Sequence, residues 1–337
     1  MGRDRPGDPP GLPGGARRGG PRVKVSLVST VKDAAEHVGP FLDSVRGQTR
    51  PPDEVVIVDG GSTDGTLEIL RAEDGIVVLE EPGANISRGR NLAIARATYD
   101  VIACSDADCV LDPHWLEELL RPIEAGADVA MGVTEPIVDG FLQACVASLN
   151  LPDPSELDEA RFMPSHRSVA FRRAAIEAAG GYPEWLDVGE DMYVDHRWRE
   201  LGLDLRLARG AVARWRLRPD LPATFRQYSR YAWGDAVAGM HPERHAIRFA
   251  AYGALLYALG SRARWPKVLS VGAGLAYARA PLARALRRLR TPRERAAALV
   301  AVPALLAFVD AAKVAGYLAG LRAARRARPE DQPEAYS

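Results

Sequence analysis

Residues 101–108 read Val-Ile-Ala-Cys-Ser-Asp-Ala-Asp, an apolar run that ends abruptly in two carboxylates one residue apart. A run with no solvated side chains reads as a strand buried on both faces, the kind found in parallel sheets covered by helices. Open α/β sheets bind their ligands beyond the carboxyl ends of the strands, so chemistry is expected at Asp106 and Asp108. Where the strand ends, the backbone can turn both carboxylates toward one cation. Oxygen donors of this kind suit Mg²⁺ or Mn²⁺, held by one or two carboxylates plus substrate phosphates. The competing reading is a turn former, since Asp112-Pro113 shows the same loop introducing a helix.

Upstream, residues 24–29 are short and β-branched. Ala34, Val38, Phe41, Leu42 and Val45 then recur at helical spacing over residues 33–46. Residues 54–58 form a second apolar strand, closed by Asp-Gly-Gly-Ser-Thr-Asp-Gly-Thr at 59–66. Its glycines permit a tight turn, and Ser62, Thr63 or Asp64 can cap a helix running to about residue 72. A third strand at 76–79 precedes a helix over 86–97 that carries Arg88, Arg90 and Asn91. Four strands alternating with three helices predict a mostly parallel sheet flanked by helices, an α/β fold.

Beyond residue 113 the alternation loosens. A helix over 113–124, a strand over 129–133, an irregular stretch at 151–164, a strand at 168–172 and a short helix at 173–179 follow. Gly189-Glu190-Asp191 opens a helix to about residue 201, with Asp191 and Asp195 one turn apart on one face. After about residue 246, Ala, Leu, Val and Gly dominate. The apolar segments 249–259, 268–280 and 296–309 are interrupted by Arg279, Asp310 and Lys313, and none reaches the roughly 20 residues of an ideal membrane span. Arg284, Arg287, Arg288, Arg290, Arg293 and Arg295, and then Arg322, Arg325, Arg326 and Arg328, lie beside these segments, as suits an anionic cytoplasmic leaflet. An Ala-rich soluble helical domain is the alternative.

The totals bound the rest. With 44 basic and 44 acidic residues there is no global field to recruit nucleic acid. Three cysteines make no disulfide framework and fit a reduced intracellular setting. Cys104 and Cys109 flank the acidic pair, but no second Cys/His pair follows at zinc spacing. Residues 1–22 are mostly Gly, Pro and Arg, a disordered leader without the apolar segment of a secretory signal. The expected division is therefore a leader over 1–22, a catalytic domain over 23–240, a helical membrane-associated region over 241–328 and a tail over 329–337.

In order, VVIVDGGSTDGT at 55–66, RGRN at 88–91, Asp106-Ala-Asp108 and Gly189-Glu-Asp191 resemble the family 2 glycosyltransferases with a GT-A fold, over about residues 23–235. The resemblance implies that Asp59 bonds the base of a UDP- or GDP-linked sugar, although Gly60 stands where the family usually has a second Asp. Thr30 and Lys32 would line the same crevice, and Arg88 and Asn91 would approach the diphosphate. Asp106 would reach the ribose or a metal-bound water, and Asp108, with Asp106 beside it, would hold Mg²⁺ or Mn²⁺. Asp191 would be the base that takes a proton from an acceptor hydroxyl, since a carboxylate at a helix N-terminus stays ionised near neutral pH. The swap, Glu190 as base and Asp191 as cap, stays open. Asp195 and His196 would support or contact an acceptor.

Gln227-Tyr-Ser-Arg230-Tyr231 resembles the Q-x-x-R-W of processive members with Tyr for Trp, which favours single addition and a helix docked against the membrane region. The implied activity is inverting transfer to a glycan or lipid-linked acceptor at the cytoplasmic face of the cell membrane, in cell-envelope synthesis. Sugar-phosphate nucleotidyltransferases are the nearest rival. They want a Gly-rich basic loop after the first strand, where this chain has Ser29-Thr30-Val31-Lys32. A non-catalytic membrane scaffold is the other. His241 and His245 have ligand spacing without a metalloprotease Glu and read as surface histidines.

Overall fold

The computed structural model describes residues 22–325, so nearly all of the expected leader and the expected tail lie outside the described residues. The first half follows the apolar runs: β1 (Val25–Val31), α1 (Ala35–Arg46), β2 (Glu54–Asp59), α2 (Thr66–Arg71), β3 (Ile76–Glu80), α3 (Ile86–Arg96) and β4 (Val101–Cys104). These strands pair in parallel in the order β3-β2-β1-β4. Val31 lies level with Asp59, and Val28 with Cys104, so the carboxyl ends of β1, β2 and β4 share one edge.

The second half adds β5 (Cys109–Leu111), α4 (Trp115–Glu124), β6 (Val129–Ile137), α5 (Phe141–Asn150), β7 (Val169–Arg172), α6 (Arg173–Ala178), α7 (Glu190–Glu200) and β8 (Leu205–Arg216). Within the irregular stretch only Pro154–Glu156 forms a single 3₁₀ turn. β7 runs antiparallel to β4 and β6, and β5 antiparallel to β8, completing an eight-stranded mixed sheet. β8 is not anticipated from the sequence, although Ala211, Ala213 and Trp215 alternate with Val212, Arg214 and Arg216. Its period is broken near Arg209-Gly210, where the pairing with β6 slips between Met131 and Val133. One face of the sheet packs Phe41, Leu42, Leu116 and Leu119; the other packs Ile94, Phe171, Val194 and Trp198.

Four helices complete the chain: α8 (Leu221–Val237), α9 (Pro242–Gly260), α10 (Trp265–Arg288) and α11 (Pro292–Ala324). α5 and α8 share a core with α10 and α11 through Cys145, Leu149, Tyr228, Ala285, Val302 and Leu306. The joint is close because α11 presents glycine: a Cβ on Gly316 would lie 1.9 Å from the Ser229 carbonyl oxygen, and one on Gly320 2.6 Å from that of Trp233.

Two expectations need correction at this joint. Arg284, Arg287 and Arg288 do not face lipid freely; they pair with Glu156 and Asp153 on the loop after α5. His245 is not a surface residue: it is buried, its Nε2 lies 3.0 Å from Asp235, and its ring stacks on Tyr317 at 3.8 Å. What stays uncovered is apolar. Ile247, Leu256, Tyr257, Leu259, Trp265 and Val268 on the α9–α10 hairpin are 63–70% exposed. Among the described residues α11 is the one helix long and apolar enough to cross a membrane, with 39% of its most apolar window buried.

Gly316→Ala should separate α8 from α11 and destabilise the protein by about 1–3 kcal/mol, the usual range for overpacking. Gly253→Ala on α9, where a Cβ meets nothing within 4 Å, should leave the unfolding midpoint unchanged or slightly raised. Thermal unfolding of both variants checks the joint; equal midpoints would refute it.

Candidate active site

At the carboxyl end of β2, Asp59 is 1% exposed. Its Oδ1 accepts the backbone N–H groups of Gly61 and Ser62, each at 2.8 Å, while its Oδ2 is buried without a partner. Such an oxygen is costly unless a donor arrives to bond it. A Cβ at Gly60 would lie 3.1 Å from the Ala84 carbonyl oxygen, a tight approach.

The two loops above are cross-braced. Asp33 Oδ1 accepts the Thr63 N–H, Ser62 Oγ accepts the Asp33 N–H, and Asp64 Oδ2 accepts the Ala35 N–H. The helix cap expected of Ser62, Thr63 or Asp64 is instead Gly65 in the left-handed region, although Asp64 Oδ1 does accept the Thr66 N–H. Lys32 is exposed on this loop, and Thr30 is half-buried beneath α3, where a Cβ on Gly89 would come within 2.6 Å of its Cγ2.

The strand end at β4 is tied to the start of α7 by Arg90. This guanidinium is 2% exposed, and it donates through Nη2 to Asp106 Oδ1 at 2.7 Å and through Nη1 to Glu190 Oε1 at 2.9 Å. Asp106 Oδ2 lies 3.3 Å from Arg167 Nε. Arg167 in turn sits over the Trp215 ring at 4.5 Å, and the Trp215 indole donates to Asp108 Oδ2 at 3.0 Å. Glu190, Arg90, Asp106, Arg167, Trp215 and Asp108 are thus one continuous chain of contacts across β4, β8, α3 and α7.

Neighbouring carboxyl groups acquire opposite character. Burial works to raise the pKa of Asp106, but Arg90 and then Arg167 outweigh it and hold the group below the ordinary carboxylate range. Burial, and next the Asp191 charge, push Glu190 up to about 7 against the pull of Arg90. Asp191, half-buried in the first turn of α7, accepts the Met192 N–H at 2.8 Å. That turn is set by Gly189 at φ 91°, a conformation that favours glycine.

Several expected roles meet other geometry. Asp106, expected beside Asp108 as a cation ligand, has both oxygens facing guanidinium groups. Asn91, expected near the diphosphate, instead donates to the Tyr182 carbonyl and accepts the Tyr182 N–H, both at 2.9 Å. Arg88 pairs with Glu81 at the rim and reaches toward Glu184. Asp195 cannot contact an acceptor: it is fully enclosed, with Oδ1 3.1 Å from His166 Nε2, and His166 Nδ1 lies 2.5 Å from the Tyr182 hydroxyl. Burial, and then Arg90, lower the His166 pKa. Tyr182 closes this group against the cleft, with Arg90 over its ring at 5.2 Å. His196 lies against His241, with ring centroids 5.0 Å apart. Gln227 donates to the Tyr231 hydroxyl, and Arg230 is exposed on the same helix.

Arg90 carried a signal that went unused: with Ala93, Ile94 and Ala97 it falls at helical spacing on the inner face of α3. Arg167, Tyr182 and Trp215 have no such local mark. Among the described residues no three His, Cys, Asp or Glu side chains converge into a cation cage. Asp108 is half-buried, with the Cys109 thiol 3.7 Å from Oδ1. Burial and then Asp108 push the pKa of that thiol up. One hard carboxylate fits a cation whose remaining ligands are substrate phosphates and water.

Residues 26–173 match the model described as glycosyl transferase family 2. The chain is 28% identical over 205 residues to glycosyltransferase AglE of Haloferax volcanii, covering 58% of this chain and 67% of that protein. It is 28% identical over 233 residues to the succinoglycan biosynthesis protein ExoA of Rhizobium meliloti, covering 62% and 68%. Across the first four curated relatives the match spans 52–68% of their length. Among solved structures, the mannosyltransferase PcManGT from Pyrobaculum calidifontis in complex with GDP-Man and Mn²⁺ shares the fold at a TM-score of 0.50. Its identity is 21%, covering 90% of this chain and 86% of that one.

The raised Glu190 pKa has a sign that can be measured. The unfolded value is about 4.3, so between that and about 7 the folded protein holds the extra proton. Stability contributed by the neutral acid is therefore present at low pH and lost as pH rises through that window. Glu190→Gln should flatten this part of the wild-type curve of unfolding midpoint against pH. Parallel curves for the two proteins would show that Glu190 titrates normally.

Proposed function

We propose that this chain, a member of glycosyl transferase family 2, moves a sugar from a nucleoside-diphosphate donor to an acceptor hydroxyl with inversion. The observation that carries this reading is the linked series Glu190, Arg90, Asp106, Arg167, Trp215 and Asp108 at the carboxyl edge of the sheet. The donor's base enters beside Asp59, where the unpartnered Oδ2 receives its N–H donor. Thr30 and Lys32 border that crevice, and Arg88 stands at its rim.

Asp108 is the protein's ligand for Mg²⁺ or Mn²⁺; when bound, the ion neutralises charge on the departing diphosphate. Asp106 acts through its two arginines, holding Arg167 in place for the phosphates. Asp191 takes the acceptor proton, because it is partly exposed and free of Arg90, while Glu190 is turned inward and locks Arg90 in place. A single displacement from the face opposite the leaving group inverts the anomeric centre. GDP-mannose, bound by a protein of this fold, is the first donor to test.

Residues 23–240 form the catalytic domain in this reading. Residues 241–328 hold it to the cytoplasmic face of a membrane through the apolar α9–α10 hairpin and α11. Relatives named for O-antigen and succinoglycan synthesis support a cell-envelope or lipid-linked acceptor, and Tyr231 in place of Trp favours single addition. Nucleotidyl transfer is disfavoured by the family match, and product analysis separates the two, since that rival releases pyrophosphate.

Asp108→Ala should abolish Mn²⁺-dependent binding of GDP or UDP in isothermal titration. Asp191→Asn should bind the nucleotide as the wild type does, with turnover lower by about 10²–10⁴-fold, the range for loss of a general base. Undiminished transfer by Asp191→Asn would move the base to another residue.

A further inference from the structure

We propose that a cavity of about 220 Å³ between α5, α10 and α11 binds a phosphate monoester group. Its polar wall is Asn150, Tyr277, Arg284, Asp310 and Lys313, and Leu306 contributes to its apolar side. The decisive residue is Lys313, placed in the middle of the apolar helix α11. Its Nζ donates to the neutral amide oxygen Oδ1 of Asn150 at 3.1 Å and sits 5.3 Å from the centre of the Tyr228 ring. Among the described residues no carboxylate pairs with it, although Asp310 is one turn away on the same helix.

Asp310 is already matched. Arg248 Nε donates to its Oδ1 at 2.8 Å, and the hydroxyls of Tyr252 and Tyr277 donate to its Oδ2, each at 3.0 Å. Of the charged residues that line the cavity, Arg284 pairs with Glu156 and Asp310 with Arg248, which leaves Lys313 as the one lining charge without a salt-bridge partner among the described residues. A half-buried ammonium without a counter-ion is costly and calls for an anion. A phosphate monoester carries −1.5 to −2 near neutral pH, as its second pKa near 6 dictates.

Tyr277 lines the cavity and is also 55% exposed on α10, a helix that carries the uncovered apolar residues Leu275 and Val271 as well. An acyl or isoprenoid chain attached to a phosphate held by Lys313 would have the apolar surface of α10 within reach. That phosphate would also sit one helix behind Tyr231, since Tyr228 packs edge-on against that ring. The lipid source rests on the reading of the C-terminal helices as membrane-facing; the phosphate site itself does not.

The full chain is tested by flotation with phosphatidylcholine vesicles that contain either phosphatidic acid, a monoester, or phosphatidylglycerol, a diester. Wild type should prefer phosphatidic acid, and Lys313→Gln should lose about fivefold of that preference, as one cation near a lipid headgroup commands. Arg293→Gln, which removes an exposed charge outside the cavity, should keep it. Asn150→Asp, which supplies Lys313 with a partner, should lose it as well and guards against a Lys313→Gln variant that fails to fold.

Competition by millimolar inorganic phosphate would assign the site to a soluble phosphate compound, and its absence would assign the site to a lipid. No monoester preference in wild type, or equal loss in Lys313→Gln and Arg293→Gln, would overturn the proposal. Hydrolysis of donor sugar by the same preparations reports separately on the transferase reading, which can fail while the phosphate site stands.

Discussion

A single buried guanidinium holds this site together. Arg90 on α3 bonds Asp106, sixteen positions along the chain, and Glu190, one hundred positions along. A charge enclosed to this degree is tolerable only when paired and hydrogen-bonded, so the requirement is mutual. The end of β4 and the first turn of α7 must arrive together for any of the three groups to be satisfied. The fold supplies that meeting because β1, β2 and β4 run parallel and end at one edge, with β7 antiparallel beside β4.

The same arginine sorts carboxyl groups that look alike in sequence. Asp106 and Asp108 are two residues apart, yet the first is enclosed by Arg90 and Arg167 while the second meets only an indole and a thiol. Glu190 and Asp191 are adjacent, yet the first turns inward and is driven toward neutrality by burial while the second stays near solvent. Pairs whose surroundings push them apart are what separate acid, base and ligand roles at one pH. Behind Arg90, the enclosed series of Tyr182, His166 and Asp195 gives the site a rigid back wall, with His166 stacked on Trp198 at 5.2 Å.

The helical region is not an appendage. α5 and α8 lie before residue 241 in the chain but share a core with α10 and α11, and α8 meets α11 through close approaches that only glycine at 316 and 320 allows. A Cβ at Gly234, on the other side of α8, would come 2.1 Å from the Val188 carbonyl oxygen, just before the turn that carries Glu190 and Asp191. α8 is therefore wedged between α11 and the segment that leads into α7.

By itself, the sequence determined the α/β alternation, the four parallel strands and the acidic tips at Asp59, Asp106 and Asp191. Each of these is written in local periodicity and in the chemistry of residues that follow a strand. It also marked the apolar C-terminal segments by composition. Only the tertiary structure decided that Asn91 and Asp195 serve the framework, that Arg284, Arg287 and Arg288 turn back onto the loop after α5, and that His245 is interior. It alone brought Arg90, Arg167 and Trp215 to the carboxylates, although Arg90 kept helical step with Ala93 and Ile94. The physical reason is range: a strand or helix is set by neighbours within a few residues, whereas the partner of a buried charge is whatever the sheet order brings alongside, from any distance along the chain.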